Sequence, residues 1–166
     1  MEFYNIGKLV NTHGLKGEVR ILSRFKHKDK IFKNGNLLYI GKDKKCFQIE
    51  TYRKHKNFDM VVFKGYYDIN LIEYLKGSFV YFNKEDLKLE KNSYLAIDLI
   101  GFDVIIEDKN VGVVSTVIES NASEILVLDN NNMIPYVDFF IKKVDIDNKY
   151  IEVNNVKGLI KWKLIF

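Results

Sequence analysis

The chain has 166 residues, of which 47% are hydrophobic and 14% aromatic, with a single proline. This composition favours a folded, strand-rich protein and excludes a disordered one. No apolar run approaches the roughly 20 residues that span a bilayer, and the first residues lack a secretory signal pattern, so we expect a cytoplasmic protein without a membrane partner. The net charge of +4 divides unequally: residues 1–92 carry 19 lysines and arginines against 11 acidic residues, and residues 93–166 carry 7 against 11. A basic half suits a nucleic-acid backbone, and an acidic half suits a basic protein.

The first half of the chain predicts six short strands and one helix. Polar and apolar residues alternate from Glu18 to Ile21, which indicates a half-buried strand. Asp68 can cap a helix that Gly77 ends. The apolar face of that helix is expected to pack on a sheet and comprises Ile69, Leu71, Ile72 and Leu75. The predicted strands are Tyr4–Val10, Glu18–Leu22, Leu37–Ile40, Phe47–Tyr52, Met60–Phe63 and Phe79–Tyr81.

The turn between the first two strands is the first candidate site. Gly14 and Gly17 stand three residues apart, and glycine suits a tight bend with positive φ or a close backbone approach. Such a bend presents His13, Lys16 and Arg20 together with free backbone N–H groups, which suits an anion such as phosphate. The alternative interpretation is an ordinary hairpin turn whose charges are merely solvated.

Three further clusters of positive charge follow in the same half. Residues 24–33 interleave aromatic and basic side chains, including Lys26 and Lys28. Arg53 and Lys54 begin a second cluster, and Lys42, Lys44 and Lys45 form a third. Lysine neutralises phosphate without reading sequence, and exposed aromatic rings can stack on bases. In the alternative interpretation the aromatic side chains point into the core and the lysines are only solvated.

A polar segment separates the two halves and predicts a domain boundary. We expect an amino-terminal domain at residues 1–83, a linker at 84–93 and a second domain at 94–166. Strands are predicted in the second half at Asp103–Ile106, Val111–Ile118, Ile125–Leu128, Val144–Ile146 and Tyr150–Val153, with one helical turn at Tyr136–Ile141. Short, closely spaced strands with few helices predict a mainly β protein with two small β-barrel or sandwich domains.

The sequence shows no recognisable catalytic or metal-binding pattern. Cys46 is the single cysteine, and the three histidines are dispersed, so no zinc-site spacing occurs. The glycines around Leu15 match neither a P-loop nor a dinucleotide fingerprint. We therefore expect no catalytic residue, metal or cofactor. His13 as a general base is the alternative, but no orienting acid is paired with it in the sequence.

Several motifs in order resemble a known family. They are Ile6–Val10 followed by Thr12–Arg20, Asp98–Val104, Val111–Val114, Glu124–Val127, Met133–Val137 and the closing Val156–Leu159. Together they resemble the bacterial ribosome maturation factor RimM, the 16S rRNA processing protein family. The resemblance implies a six-stranded barrel like those of translation factors followed by a PRC barrel. It also implies a monomeric, non-enzymatic assembly factor for the 30S subunit that assists late head assembly and 16S rRNA processing.

The resemblance also implies partners, and the glycine turn, the basic clusters and the matched motifs supply candidate residues. The partners are the 30S subunit with its 16S rRNA, and the basic ribosomal protein uS19, engaged largely through the second domain. Candidate rRNA-binding residues are Thr12, His13, Gly14, Leu15, Lys16, Gly17, Arg20, Lys26, Lys28, Arg53 and Lys54. Candidate residues for the ribosomal protein are Tyr94, Asp98, Leu99, Gly101, Pro135 and Tyr136. Two alternatives remain: an rRNA-modifying enzyme centred on His13 and Lys16, and a tRNA-binding module like those of translation factors.

Overall fold

The computed structural model of the chain describes residues 1–89, 94–120, 122–155 and 158–159. The chain divides into two compact units, residues 1–88 and 89–166. Four residues of the expected linker, 90–93, lie outside the described residues, as do residues 156–157 of the closing motif.

The first unit is a closed antiparallel barrel of six strands. The strands are β1 (Phe3–His13), β2 (Glu18–Leu22), β3 (Leu37–Ile40), β4 (Lys45–His55), β5 (Phe58–Phe63) and β6 (Phe79–Asn83). They close in the order β1-β2-β5-β4-β3-β6, and β6 pairs back onto β1. Helix α1 (Lys28–Ile31) and helix α2 (Ile69–Ile72) lie in the connections, with 3-10 turns at Glu73–Leu75 and Lys84–Asp86.

Along each strand, every second side chain points into the barrel and the side chains between them point outwards. The interior is apolar and includes Tyr4, Ile6, Leu9, Val19, Ile21, Leu38, Ile40, Phe47, Ile49, Val61, Phe63, Val80 and Phe82, all buried. Strand β1 bends to close the barrel, because its pairing shifts register between Asn5 and Gly7 and again between Leu9 and Asn11. A Cβ at Gly7 would stand 2.3 Å from the Leu22 carbonyl oxygen. Only glycine allows that approach of β1 to the end of β2.

The predicted helix at residues 68–77 is shorter and tighter than expected. Asp68 caps it, because its carboxylate accepts a hydrogen bond from the Asn70 N–H at 2.8 Å. Ile72 and Leu75 are buried as expected, but Leu71 is 50% exposed. The expectation that Leu71 joins the packing face is wrong, because α2 ends after one turn and the chain narrows to a 3-10 turn.

The second unit is a six-stranded sheet around its own core. After a 3-10 turn at Ala96–Leu99, its strands are β7 (Asp103–Ile106), β8 (Lys109–Glu119), β9 (Glu124–Leu128), β10 (Met133–Pro135), β11 (Ile141–Asp145) and β12 (Tyr150–Val153). The order is β10-β9-β8-β7-β12-β11, with β7 and β12 parallel. Ile134 of β10 and Val144 of β11 pack on the same core cluster. Both edges of the sheet therefore curl towards one apolar centre.

The mainly β fold class with two small β domains is confirmed. Each predicted strand has a counterpart, but β1, β4 and β8 run on to His13, His55 and Glu119. Strand β10 was not predicted, and β11 begins at Ile141 in place of Val144. No helix in the described part of the chain is both long and apolar enough to cross a membrane.

Candidate nucleic-acid interface

The β1–β2 hairpin is held firmly against the rest of the barrel. Gly17 has φ +84°, and a Cβ there would lie 2.1 Å from the Tyr66 carbonyl oxygen. The Ile69 N–H donates a 3.0 Å hydrogen bond to the Leu15 carbonyl. Leu15 is 78% exposed and Lys16 is also exposed. The hairpin therefore presents its tip to solvent while its backbone is fixed from behind.

Behind the tip, Arg20 and His13 form one polar unit. A guanidinium Nη of Arg20 lies 2.6 Å from His13 Nδ1. Since a guanidinium only donates, Nδ1 accepts, and the neutral imidazole carries its proton on Nε2. The Arg20 guanidinium carbon also stands 5.6 Å from the centre of the Phe58 ring, and the His55 ring centre is 6.2 Å from that of His13. These contacts fix the orientation of the Arg20 guanidinium, which could not be inferred from the position of Arg20 in the sequence.

Arg53 reaches the same face from β4, but its charge is paired. Its Nε and one Nη donate to the two Glu18 carboxylate oxygens at 3.0 and 2.6 Å. This hydrogen bond is the main cause that holds the pKa of Glu18 below its ordinary value, against the opposing effect of partial burial. Such a two-point contact fixes the geometry of both side chains. Because Glu18 neutralises it, Arg53 adds less positive field than a lone arginine.

Lys28 has a structural role within the barrel. Its ammonium lies 2.7 Å from a carboxylate oxygen of Asp59, whose side chain is 0% exposed. The Tyr52 hydroxyl donates to the other Asp59 oxygen at 2.8 Å. Burial, followed by the Asp59 contact, raises the pKa of Tyr52 to about 12. Lys28 thus neutralises a buried carboxylate, and its charge is already compensated.

The expected rRNA-binding residues fall into two groups. Thr12 to Arg20 share the hairpin, and β4 brings Arg53 to it through Glu18. Lys26 and Lys28 lie beyond the far end of β2, away from the turn. Lys54 is exposed near the end of β4, one residue from Arg53. Glu18 and Phe58 are not among the residues expected from the sequence, because only the cross-strand pairing of β2, β5 and β4 brings them to Arg53 and Arg20.

In the second unit, three of the six expected protein-binding residues line one groove: Tyr94, Asp98 and Gly101. Tyr136 contacts Tyr94, and Pro135 ends strand β10. The Tyr136 hydroxyl donates to the Tyr94 carbonyl at 3.2 Å. Burial, with nearby Glu124 and Asp98 as lesser causes, raises the pKa of Tyr136 to about 12. Leu99 is fully buried and serves the core. A groove of about 510 Å³ is lined by Tyr94, Asp98, Ile100, Gly101, Phe102, Ile146 and Lys149.

The charge division of the sequence coincides with the two units. The formal charges of residues 1–88 sum to +8 and those of residues 89–166 to −4. Among the described residues, no group of three or more His, Cys, Asp or Glu side chains is arranged to hold a metal ion.

Fold and surface together define a class: a two-domain β protein in which a basic barrel with a cationic hairpin precedes an acidic β domain. Two family descriptions match the chain, the RimM N-terminal domain at residues 4–87 and the RimM PRC barrel domain at residues 96–159. The chain belongs to the RimM family.

Relatives with curated descriptions match along nearly the whole chain. The ribosome maturation factor RimM of Shouchella clausii is 35% identical over 167 residues, which cover 95% of this chain and 96% of the relative. That of Ligilactobacillus salivarius is also 35% identical, with 96% and 99% covered. A Pseudomonas aeruginosa crystal structure, described as a 16S ribosomal RNA processing protein RimM, is 20% identical with a TM-score of 0.47, covering 93% of this chain and 98% of its own.

Proposed function

We propose that this chain is a maturation factor for the small ribosomal subunit that acts by binding. The relatives' name, ribosome maturation factor, supports this role. The observation that carries the proposal is the pinned cationic hairpin, in which Lys16 projects at an exposed tip and Arg20 is oriented behind it. Backbone N–H groups at a tight turn and oriented cations are the usual contacts to phosphate.

In this proposal the first unit binds 16S rRNA and the second binds a basic ribosomal protein. The charge balance of +8 suits the RNA backbone, and the balance of −4 suits a cationic protein. The ribosomal protein is uS19, the contact surface includes Tyr94, Asp98 and Tyr136, and the step served is late assembly of the subunit head in the cytoplasm. The groove beside Tyr94 supports the choice of surface, because Asp98 borders it.

A binding role is favoured over catalysis by the surroundings of His13. Acid–base catalysis needs an imidazole that is oriented by an acceptor and open towards substrate. The Nδ1 atom of His13 accepts a hydrogen bond from the Arg20 guanidinium, so that no carboxylate orients the ring there. Turnover of precursor rRNA by the purified protein, abolished by His13→Ala, would contradict a binding role.

The proposal is tested by sedimentation and by salt titration. Tagged full-length protein should pellet with free or immature small subunits and not with whole ribosomes. Lys16→Ala should weaken rRNA binding and lower the slope of log affinity against log salt by about 1, because one phosphate contact is lost. Lys109→Ala removes an exposed lysine from the second unit and should leave the slope unchanged. Binding to rRNA without salt dependence would refute the electrostatic contact.

The protein partner needs a separate measurement. Full-length protein should retain purified uS19, and Asp98→Asn should weaken that complex because it removes a negative charge beside the groove. Lys109→Ala again serves as a surface control in the same unit. Equal retention of uS19 by the Asp98 variant and the unmodified chain would place the contact elsewhere.

A further inference from the structure

A second surface of the barrel carries outward-facing aromatic rings, one of them exposed and three half-buried, and we call it the aromatic face. It consists of Phe3 on β1, Tyr39 on β3, and Phe79 and Tyr81 on β6, all pointing away from the barrel interior. Tyr39 lies opposite Tyr81 in the β3–β6 pairing, and the rings of Phe3 and Tyr39 meet edge to face at 4.8 Å between centres. Phe79 is 52% exposed, which is a large open area for a phenylalanine.

Two lysines accompany these rings. Lys44, in the turn after β3, has φ +51°, and its ammonium lies 3.8 Å from the centre of the Tyr81 ring. Lys8 lies opposite Phe79 in the β1–β6 pairing, with its ammonium 5.9 Å from that ring centre. Within the described part of the chain neither ammonium forms an ion pair with a carboxylate. Among the described residues, these two lysines therefore lack the carboxylate partner that Lys28 and Arg53 have.

The aromatic face is distinct from the hairpin face. In the closed order β1-β2-β5-β4-β3-β6, strand β6 lies across the barrel from β5. The hairpin face centres on β2, β5 and β4, whereas the aromatic face centres on β6. A ligand on one wall therefore leaves the other wall accessible.

Sheet stability alone accounts for only part of this arrangement. Cross-strand aromatic pairs such as Tyr39 with Tyr81 do strengthen a sheet. That explanation does not cover Phe79, whose ring is half exposed, or two cations held beside the rings without a carboxylate. Rings flanked by lysines match the chemistry of unpaired nucleotides, which offer a base to stack and a phosphate to neutralise.

We propose that the aromatic face binds a single-stranded segment of RNA, with a base stacked on Phe79 and phosphates held by Lys8 and Lys44. This inference rests on the proposed ribosomal RNA role and adds that part of the bound RNA is unpaired. Bases in a duplex are covered by their neighbours, so ring stacking selects unpaired nucleotides. The strands of the hairpin face, β2, β4 and β5, carry charges but no exposed aromatic ring. Contacts to phosphate alone do not require unpaired bases, so we expect this face to bind duplex and single strand alike.

The test measures fluorescence anisotropy of labelled RNA with the full-length protein. The probes are a single-stranded oligouridine of about ten nucleotides and a duplex of the same length. Phe79→Ala should weaken binding of the single strand roughly 5- to 150-fold, the usual range for loss of one stacked base, and leave duplex binding unchanged. Phe79→Trp should preserve it. Phe139→Ala, at a phenylalanine that is 69% exposed in the second unit, is the matched control.

A second variant shows whether weaker binding by Phe79→Ala could come from a folding defect. The double replacement Lys8→Ala and Lys44→Ala should lower the salt slope for the single strand by about 1.4, which is about 0.7 for each lost phosphate contact. Equal affinity of Phe79→Ala and the unmodified chain for the single strand, or no binding of the single strand at all, would overturn the inference. Sedimentation with small subunits that depends on Lys16 would then still support the hairpin role. Failure of that sedimentation, with single-strand binding intact, would instead refute the proposed function.

Discussion

Replacement of Gly17 by alanine tests whether the hairpin is fixed from behind. Two separate costs act at this position. The backbone has φ +84°, and alanine adopts positive φ only at a cost of roughly 1–2 kcal/mol. In addition, the new Cβ would stand 2.1 Å from the Tyr66 carbonyl oxygen and 3.2 Å from the Asp68 nitrogen. Both neighbours are backbone atoms, so no side-chain rotation relieves the overlap.

Gly14 provides a matched control in the same turn. It has φ +68°, but a Cβ there would have nothing within 4 Å. Gly14→Ala should therefore cost only the strain of positive φ, roughly 1–2 kcal/mol. Gly17→Ala must also displace residues 66–69 and weaken the hydrogen bond from Ile69 to Leu15, which adds about 1 kcal/mol for the bond and more for the displacement. We expect a total loss of about 2–4 kcal/mol at Gly17.

Hydrogen exchange followed by mass spectrometry is the suitable assay, because it resolves the two units, whereas a single melting curve mixes them. Gly17→Ala should increase exchange in the peptide that contains Ile69, with little change in peptides of the second unit. Gly14→Ala should leave the Ile69 peptide nearly unchanged. Equal exchange of that peptide in the two variants would refute the view that the close approach to Tyr66 fixes the hairpin.

Three further changes have defined outcomes. Asp59→Asn leaves the Lys28 ammonium without its anion and should lower the free energy of unfolding in urea by about 3 kcal/mol. Combining Asp59→Asn with Lys28→Met should recover part of that loss. If the effects of the two single replacements simply add, Lys28 and Asp59 do not stabilise each other. Glu18→Gln tests pH dependence: because Arg53 lowers the pKa of Glu18, the stabilisation is present above the ordinary value of 4.5 and disappears as pH falls through the lowered folded value. The unfolding free energy of the unmodified chain should therefore fall more steeply than that of the variant below pH 4.5, and parallel curves would contradict this. Tyr136→Phe removes the hydrogen bond to the Tyr94 carbonyl and should cost about 1 kcal/mol by the same measurement, and no change would show that the bond contributes nothing.

The strand pattern was accessible from sequence because it follows a local rule. Side chains alternate between the two faces of a strand. In Glu18–Leu22 and Tyr150–Val153 the alternation of polar and apolar residues therefore matches the alternation of exposed and buried side chains. Strand β10 could not be predicted, because its three residues, Met133–Pro135, are too few to show an alternation of polar and apolar side chains and include a proline. The start of β11 was misplaced for a related reason: Lys142 and Lys143 are both exposed and interrupt the alternation at an edge strand.

Only part of the candidate site could be predicted from the sequence. Gly14, Lys16 and Gly17 lie within one turn, so their proximity follows from the chain itself. The contact of Arg53 with Glu18 joins residues 35 positions apart and depends on how β2, β5 and β4 are aligned. No local pattern distinguishes Lys28, which neutralises a buried carboxylate, from Lys26, which is exposed.

The amino-acid order by itself determined the β class, the hairpin with its glycines, and the unequal division of charge, because each depends on neighbours along the chain or on simple counts. Barrel closure decided which cations are neutralised and which aromatic rings meet. The β3–β6 pairing places Lys44, in the turn after β3, over Tyr81, and the β2–β5 pairing places Asp59 near the end of β2, where it meets Lys28. Electrostatic and ring contacts act over a few ångströms in space, and only the folded chain brings residues that are distant in sequence within that range.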